Sequence, residues 1–580
     1  MTHRPGGARG FNIQREVDLV QRAAQRPKRK LYERLHMDKF NFWTVVIFLL
    51  LIFTTIFIIY PFGKLFLQSF STEEQVFTFE NYLRFFTKRY YRNALVNSLK
   101  VCVCTTVLAV AIGVPLAYIG TRFKLYAKRL INIMIVLSML SPPFIGAYSW
   151  ITLLGRSGII TQLLESIGIE FGSIYGFGGI LLVFTLKLFP MVYLYVSGAL
   201  STIDSSLEEA SENLGVAGFN RIRKVTMPVI MPTILSSALM VFMTALADFG
   251  TPRLIGEGYT TLPVVIYKEF MNEVGSNTSF AAALSVIITI VSLAVLFIQK
   301  RVVDRKSYNM SALRPPKVIT LKPVKRAALS LLVFVVALFA IAPQLTVFIQ
   351  SFRATNGPVF TDGWSLESYE AVISKLSTNI RNSFVFAIIA IALIVLIGML
   401  GSYLVVRRKG RLVGYLDMVL MFPYVIPGAV LGITLISAFN AGAIILTGTM
   451  WIIIISYSVR KLPYTMRSSV GILYQIERSV EEASISLGVP PMKTFFKTTV
   501  VLMLPGVLSG AVLSFISCIN ELSSTLVLYT GKTSTISVAI FNAVTNDAYG
   551  QASALATILT VTTIIALLIF NKVSHGKSVV

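Results

Sequence analysis

The sequence predicts an all-α membrane protein of twelve transmembrane helices, arranged as two parallel six-helix repeats with both termini on the cytoplasmic side. Three observations carry that expectation. The 580 residues are 55% hydrophobic and 14% charged, with mean hydropathy +0.73, whereas soluble domains carry roughly 25% charged residues. Twelve segments reach the roughly 20 mainly apolar residues that a bilayer core demands of a helix. Finally, a polar passage between such segments occurs twice. Glu208-Glu209-Ala210-Ser211-Glu212-Asn213-Leu214-Gly215-Val216 returns 273 residues later as Glu481-Glu482-Ala483-Ser484-Ile485-Ser486-Leu487-Gly488-Val489.

The segments run 43–62, 96–119, 130–153, 178–199, 229–249 and 279–299, then 328–349, 383–406, 413–437, 446–470, 501–520 and 553–571. Glycines and prolines interrupt several of them, which membrane helices tolerate where neighbours re-satisfy the backbone. The leading residues 1–42 are polar and basic (Arg26-Pro27-Lys28-Arg29-Lys30), too long and charged for a signal peptide. They are expected to stay in the cytoplasm. The connections on that side are then 120–129 (Arg122, Lys124, Lys128, Arg129), 300–327 and 407–412 (Arg407, Arg408, Lys409, Arg411). Within 300–326, nine Lys or Arg face one acid, Asp304. The outer connection 63–95 instead mixes Lys64, Arg84, Lys88, Arg89 and Arg92 with Glu73, Glu74 and Glu80. Such a bias of Lys and Arg marks cytoplasmic loops, so the net charge of +25 reflects a bilayer partner and not nucleic acid.

The repeat extends beyond the polar passages. Pro61…Gln68-Ser69-Phe70 returns as Pro343…Gln350-Ser351-Phe352. Asn97-Ser98, Gly113, Tyr118 and Arg122 return as Asn382-Ser383, Gly398, Tyr403 and Arg407. Gly146-Ala147…Ile151-Thr152-Leu153 matches Gly428-Ala429…Ile433-Thr434-Leu435, while Pro190, Gly215, Pro232 and Asp248 match Pro463, Gly488, Pro505 and Glu521. Six crossings per half is an even number, so both halves enter the bilayer with the same orientation and leave a path between them. The chain therefore divides into a tail (1–42), a first repeat (43–299), a basic linker (300–327), a second repeat (328–571) and a tail (572–580).

In the polar passages, Ile203, Leu207, Ala210 and Leu214 recur at helical spacing, as do Ile476, Val480, Ala483 and Leu487. Glu208, Glu209 and Glu212 fall on other faces, and Gly215 and Gly488 suit a helix end that needs an unusual backbone. A short amphipathic helix, a glycine turn and a second short helix would make a rigid knob able to dock in a groove of a soluble partner. An acidic polar face argues against a helix lying on anionic headgroups.

Here a resemblance becomes specific. Glu209-Ala210-Ser211-x3-Gly215, followed by Val225-x-Met227-Pro228, resembles the Glu-Ala-Ala loop of permease subunits in binding-protein-dependent ABC importers, and Glu482-Ala483-Ser484-x3-Gly488 resembles its second copy. The resemblance covers essentially the whole chain and implies the type I ABC importer permease fold in a bacterial inner membrane. It also implies an extracytoplasmic substrate-binding protein and ATP-hydrolysing subunits that receive the two loops as coupling helices. Glu208, Glu209, Ala210, Gly215, Glu481, Glu482, Ala483 and Gly488 would form the coupling loops, and the likeness of the two copies favours two copies of one ATPase. Two positions depart from the pattern: serine stands third in both motifs, and Val501 stands where the first copy has Pro228. The fused form with Ala247-Asp248-Phe249-Gly250-Thr251-Pro252…Leu262-Pro263-Val264…Tyr267 is most similar to permeases of the ferric-iron type. Relatives in that group carry thiamine, phosphonates, polyamines or sugar phosphates. An ion-coupled secondary transporter also uses paired repeats, but has no need of twin docking knobs.

The chain is not expected to be an enzyme and needs no cofactor. Gly531-Lys532-Thr533 ends like a phosphate-binding loop, but Leu526 stands where the earlier glycine is required. His3, His36 and His575 lie in the tails, and Cys102, Cys104 and Cys518 in or beside apolar stretches, so no metal site is expected. Tyr148, Tyr193, Tyr424 and Tyr457 read as packing residues or interface anchors. Four ionisable residues remain at membrane depth: Lys187 and Arg460, three residues before equivalent prolines, and Asp248 and Glu521, at equivalent span ends. They either line or gate a translocation path or form structural ion pairs.

Overall fold

The computed structural model describes residues 42–573 apart from 140, 141, 143, 171, 217, 273–276, 305–317 and 409. The expectations for the 1–42 tail, much of the 300–327 linker and most of the 572–580 tail fall outside these residues, as does the side chain of Glu208.

The first half contains α1 (Phe42–Ser69), α2 (Arg89–Arg122), α3 (Lys128–Met139), α4 (Ile145–Leu154), α5 (Phe177–Ser201), α6 (Ser205–Asn213), α7 (Gly218–Ala247) and α8 (Thr278–Asp304). The second contains α9 (Pro323–Gln350), α10 (Glu367–Arg407), α11 (Arg411–Val425), α12 (Gly428–Phe439), α13 (Met450–Gln475), α14 (Arg478–Ser486), α15 (Pro491–Ile519) and α16 (Tyr549–Val573). Among the described residues, nine helices are long and apolar enough to cross a bilayer. The third expected span of each half is broken: α3 stops before Pro142, and α11 and α12 meet at 114° beside Pro427. Proline lacks an N–H and disfavours helix in the residue before it, so both breaks fall where the chain dictates. The tenth expected span, α13, is one continuous helix but carries Arg460, Lys461 and Arg467. A short antiparallel hairpin, β1 (Arg353–Asn356) and β2 (Val359–Trp364), has no counterpart in the sequence reading.

The two repeats exchange their first helices. Trp43, Val46, Leu50 and Ile58 of α1 pack into a core built by α10, α11 and α13 of the second half. Val333, Ala337, Ala340 and Ile341 of α9 join the core of the first half. Polar contacts follow the same exchange: Gln344 Nε2 donates to Ser138 O at 3.1 Å, and Tyr126 N to Ser330 Oγ at 2.9 Å. Removing apolar surface at both crossings ties the halves together.

Small residues bring other helices close. A Cβ at Gly113 would sit 2.7 Å from Val192 Cβ, and one at Gly510 would sit 2.6 Å from Thr465 Cα. Thus α2 packs on α5 and α15 on α13 at backbone contact, as membrane helices do where no water drives association. At the end far from α6 and α14 the halves meet in a separate apolar core, with Phe144 and Phe541 at 4.8 Å and Tyr148 stacked on Tyr549 at 5.2 Å.

Candidate functional site

The repeated passages fold as equivalent knobs. Helix α6 is capped by Asp204, which accepts from Ser206 N at 2.9 Å. It ends with Gly215 N donating to Glu212 O and Val216 N to Ser211 O, both at 2.9 Å, around a left-handed Gly215 at φ +77°. Helix α14 ends identically, with Gly488 at φ +85°, Gly488 N donating to Ile485 O and Val489 N to Ser484 O. This double bond pattern satisfies the last carbonyls of a helix and requires a residue without a Cβ penalty, which explains both glycines. Serine in the third motif position fastens each turn: Ser211 Oγ donates to Val216 O at 2.8 Å, and Ser484 Oγ lies 3.0 Å from Thr494 Oγ1. One π-helical turn then leads into the next span in each half, Ile222–Thr226 and Phe495–Thr499.

The apolar face of each knob is divided between core and solvent. Ile203 is buried and Leu207 half-buried, but Leu214 and Leu487 project from the tips, 82% and 85% exposed. Phe219 and Met492, also equivalent, are exposed beside them. The carboxylate of Glu481 instead points inward: it accepts from Arg407 Nε at 3.0 Å and from Tyr403 Oη at 3.1 Å, while Arg407 also donates to Ile476 O at 2.8 Å. The ring of Tyr403 stacks on Trp43 of the exchanged α1 at 4.2 Å. A charge must be paired when buried and a leucine need not be, so the helical register follows the ion pair. Glu209 is half-buried, Ala210 and Ala483 are exposed, and Glu482 is exposed with a loose 3.9 Å contact to Arg478. In the first knob Glu212 pairs with Arg221.

The four ionisable residues at membrane depth come together as two ion pairs. Lys187 Nζ meets Asp248 Oδ2 at 2.9 Å, and Asp248 Oδ1 accepts from Thr251 N at 3.0 Å. Glu521 bridges two cations, Arg460 and Lys461, each at 2.5 Å, and also accepts from Ser524 N at 3.2 Å. The first pair is neutral and the second cluster carries +1, because Leu188 stands where the second half has Lys461. Gly428 makes the cluster possible: a Cβ there would lie 2.5 Å from the Arg460 guanidinium. Sequence reasoning passed over Lys461, although adjacent cations in an apolar segment were a visible signal. Tyr403 and Arg407 stood in the repeat without a role; their spacing of four on one helix was the available clue.

Of the membrane tyrosines, three are packed and buried. Tyr193 donates to Asn132 Oδ1 at 2.7 Å, Tyr457 lies 2.9 Å from Thr525 Oγ1, and Tyr148 stacks on Tyr549. Tyr424 differs, with its ring beside Tyr464 at 5.6 Å.

Comparison with known proteins accounts for this architecture. The model of the family described as binding-protein-dependent transport system inner membrane component matches twice, at residues 109–308 and 394–576. The chain is 30% identical over 549 residues to a ferric transport system permease protein of Actinobacillus pleuropneumoniae, covering 92% of this chain and 78% of that one. It is 30% identical over 509 residues to a putative ferric transport system permease protein of Haemophilus influenzae, covering 86% and 79%. A solved bacterial alginate ABC transporter shares 17% identity with a TM-score of 0.39, over 48% of this chain and 99% of that one. One copy of the family model falls on each half, each containing one knob and one ion pair. The chain therefore belongs to the binding-protein-dependent transport system inner membrane components, as a fused, multi-pass ABC importer permease.

Proposed function

We propose that this permease carries ferric iron across the inner membrane, powered by separate ATPase subunits that dock on the two knobs. The observation that carries the docking is the pair of apolar tips. Leu214 with Phe219, and Leu487 with Met492, hold exposed apolar surface at equivalent places of otherwise polar loops. Burying one leucine side chain contributes roughly 1.5–3 kcal/mol, so each tip suits a hydrophobic socket. Ferric iron is supported by relatives aligned over most of the chain.

In this reading the three expected spans outside those nine helices also cross: the two broken ones and the charged α13. That gives twelve crossings, with both termini and both knobs in the cytoplasm, as the basic connections favour. Two copies of one ATPase serve the two knobs, an extracytoplasmic binding protein delivers cargo, and this chain itself hydrolyses nothing. Closing the ATPases pushes the knobs and rocks one half against the other. The far apolar core is then the closed outer gate. The Lys187–Asp248 pair and the Arg460–Lys461–Glu521 cluster, whose acids precede Phe249 and Leu522 of that core in sequence, are its latches.

Proteoliposomes holding the permease and its ATPase, supplied with the ferric-loaded binding protein, test this directly. ATP-dependent uptake of ferric iron is expected. Uptake of thiamine or a polyamine in its place would reassign the cargo, and gradient-driven uptake without the ATPase would overturn the class.

A further inference from the structure

Three tyrosines from the two halves lie close along the chain to the ion pairs or to the break of α11. Tyr464 lies one turn beyond Arg460 on α13, Tyr195 two turns beyond Lys187 on α5, and Tyr424 on α11 just before its break. Tyr424 and Tyr464 pack edge to face at 5.6 Å. Tyr195, from the opposite half, is in electrostatic range of both, and the Arg460 guanidinium is in range of Tyr424. The packed membrane tyrosines are 2–4% exposed, whereas Tyr195 is 44% and Tyr424 36% exposed. The three tyrosines thus come from both halves and are less buried than the packed ones.

The set also breaks the internal symmetry. The shift of 273 residues pairs Tyr464 with Met191 and Tyr195 with Ser468. The cluster is thus made once per molecule from non-equivalent positions, as a site on a single shared path must be.

We propose that Tyr195, Tyr424 and Tyr464 form a transient oxygen-ligand site for the ferric ion on its way between the two halves; this rests on the ferric reading above. A small trivalent cation is a hard acid that favours oxygen donors, and phenolate is an established iron ligand. On coordination each ligating phenol forms one O–Fe bond and loses its proton to water, with no change in oxidation state. The neighbouring cluster of net charge +1 repels the ion and keeps the site weak. A transport site needs that balance, because cargo must enter and also leave.

The test is Tyr195→Phe/Tyr424→Phe/Tyr464→Phe in the complete transporter, with ferric-loaded binding protein in proteoliposomes. Ferric uptake is expected to fall about tenfold or more, while binding-protein-stimulated ATP hydrolysis persists and reports an assembled complex. Ferric ion added to the solubilised wild-type complex should give a visible phenolate-to-iron charge-transfer band, absent from the triple variant; a purely structural role would not produce it. Wild-type uptake with an equally active triple variant and no band would overturn this site alone. Absence of ferric uptake by the wild type would overturn it together with the ferric reading.

Discussion

The two halves share the backbone of their knobs but differ in the charges they bury, and the difference separates what the repeat preserves from what one half adds. Both have the glycine-terminated helix, the serine fastening, the π-helical turn and the protruding leucine. In the second, Glu481 bonds inward through Arg407 and Tyr403 to Trp43 of the exchanged helix; in the first, the side chain of the equivalent Glu208 lies outside the described residues. The first is steadied from within by its Asp204 cap and the Glu212–Arg221 pair. The membrane charges do differ: a neutral, partly accessible pair in the first half, a buried triad in the second. What is common is the shape of the knobs; what differs is the charge each half buries.

The largest effect should come from the triad. Glu521→Ala leaves two buried cations unpaired and should cost about 3–5 kcal/mol, whereas Asp248→Ala frees only the more accessible Lys187 and should cost less. Thermal unfolding of the solubilised protein measures both, and equal losses would erase the distinction between halves. Next, Leu214→Ala and Leu487→Ala should each weaken ATPase binding by about 1.5–3 kcal/mol without shifting the unfolding temperature, since neither side chain contributes to the core. Unequal losses would mean that the tips are not equivalent sockets.

Glu481→Gln should lower stability by about 1–3 kcal/mol, because it removes the charge that Arg407 donates to. Trp43→Ala should add little further loss in the double variant if stack and ion pair act as one network, which a double-mutant cycle reads out. The smallest effect is expected from Gly215→Ala and Gly488→Ala: both force a Cβ into a left-handed turn, at roughly 1–2 kcal/mol each and to equal extents. A marked difference between them would show that the two turns are not the same motif.

The sequence made the repeat, the knobs and the glycine turns legible, because each depends on local spacing and on residues with restricted backbone choices. Gly215 and Gly488 could be assigned their role before any contact was known. The direction of the knob faces was not legible. Apolar periodicity grouped Val480, Ala483 and Leu487 on one face without saying where that face points, which in the second knob is set by Glu481 finding Arg407, 74 residues away in sequence. The exchange of α1 and α9 was equally hidden, since a helix apolar on all sides does not say which half it covers. The paired states of Lys187 and Arg460 needed partners 61 residues distant, which local spacing does not supply.

The account turns on the knobs facing the cytoplasm under a covering ATPase. With Cys102, Cys104 and Cys518 replaced by alanine, Leu214→Cys and Leu487→Cys can each be probed with a membrane-impermeant maleimide. Labelling is expected only from the cytoplasmic face of vesicles, and to be suppressed at both positions once the ATPase is added. Labelling from the outer face, or unchanged labelling at both positions with the ATPase bound, would contradict it.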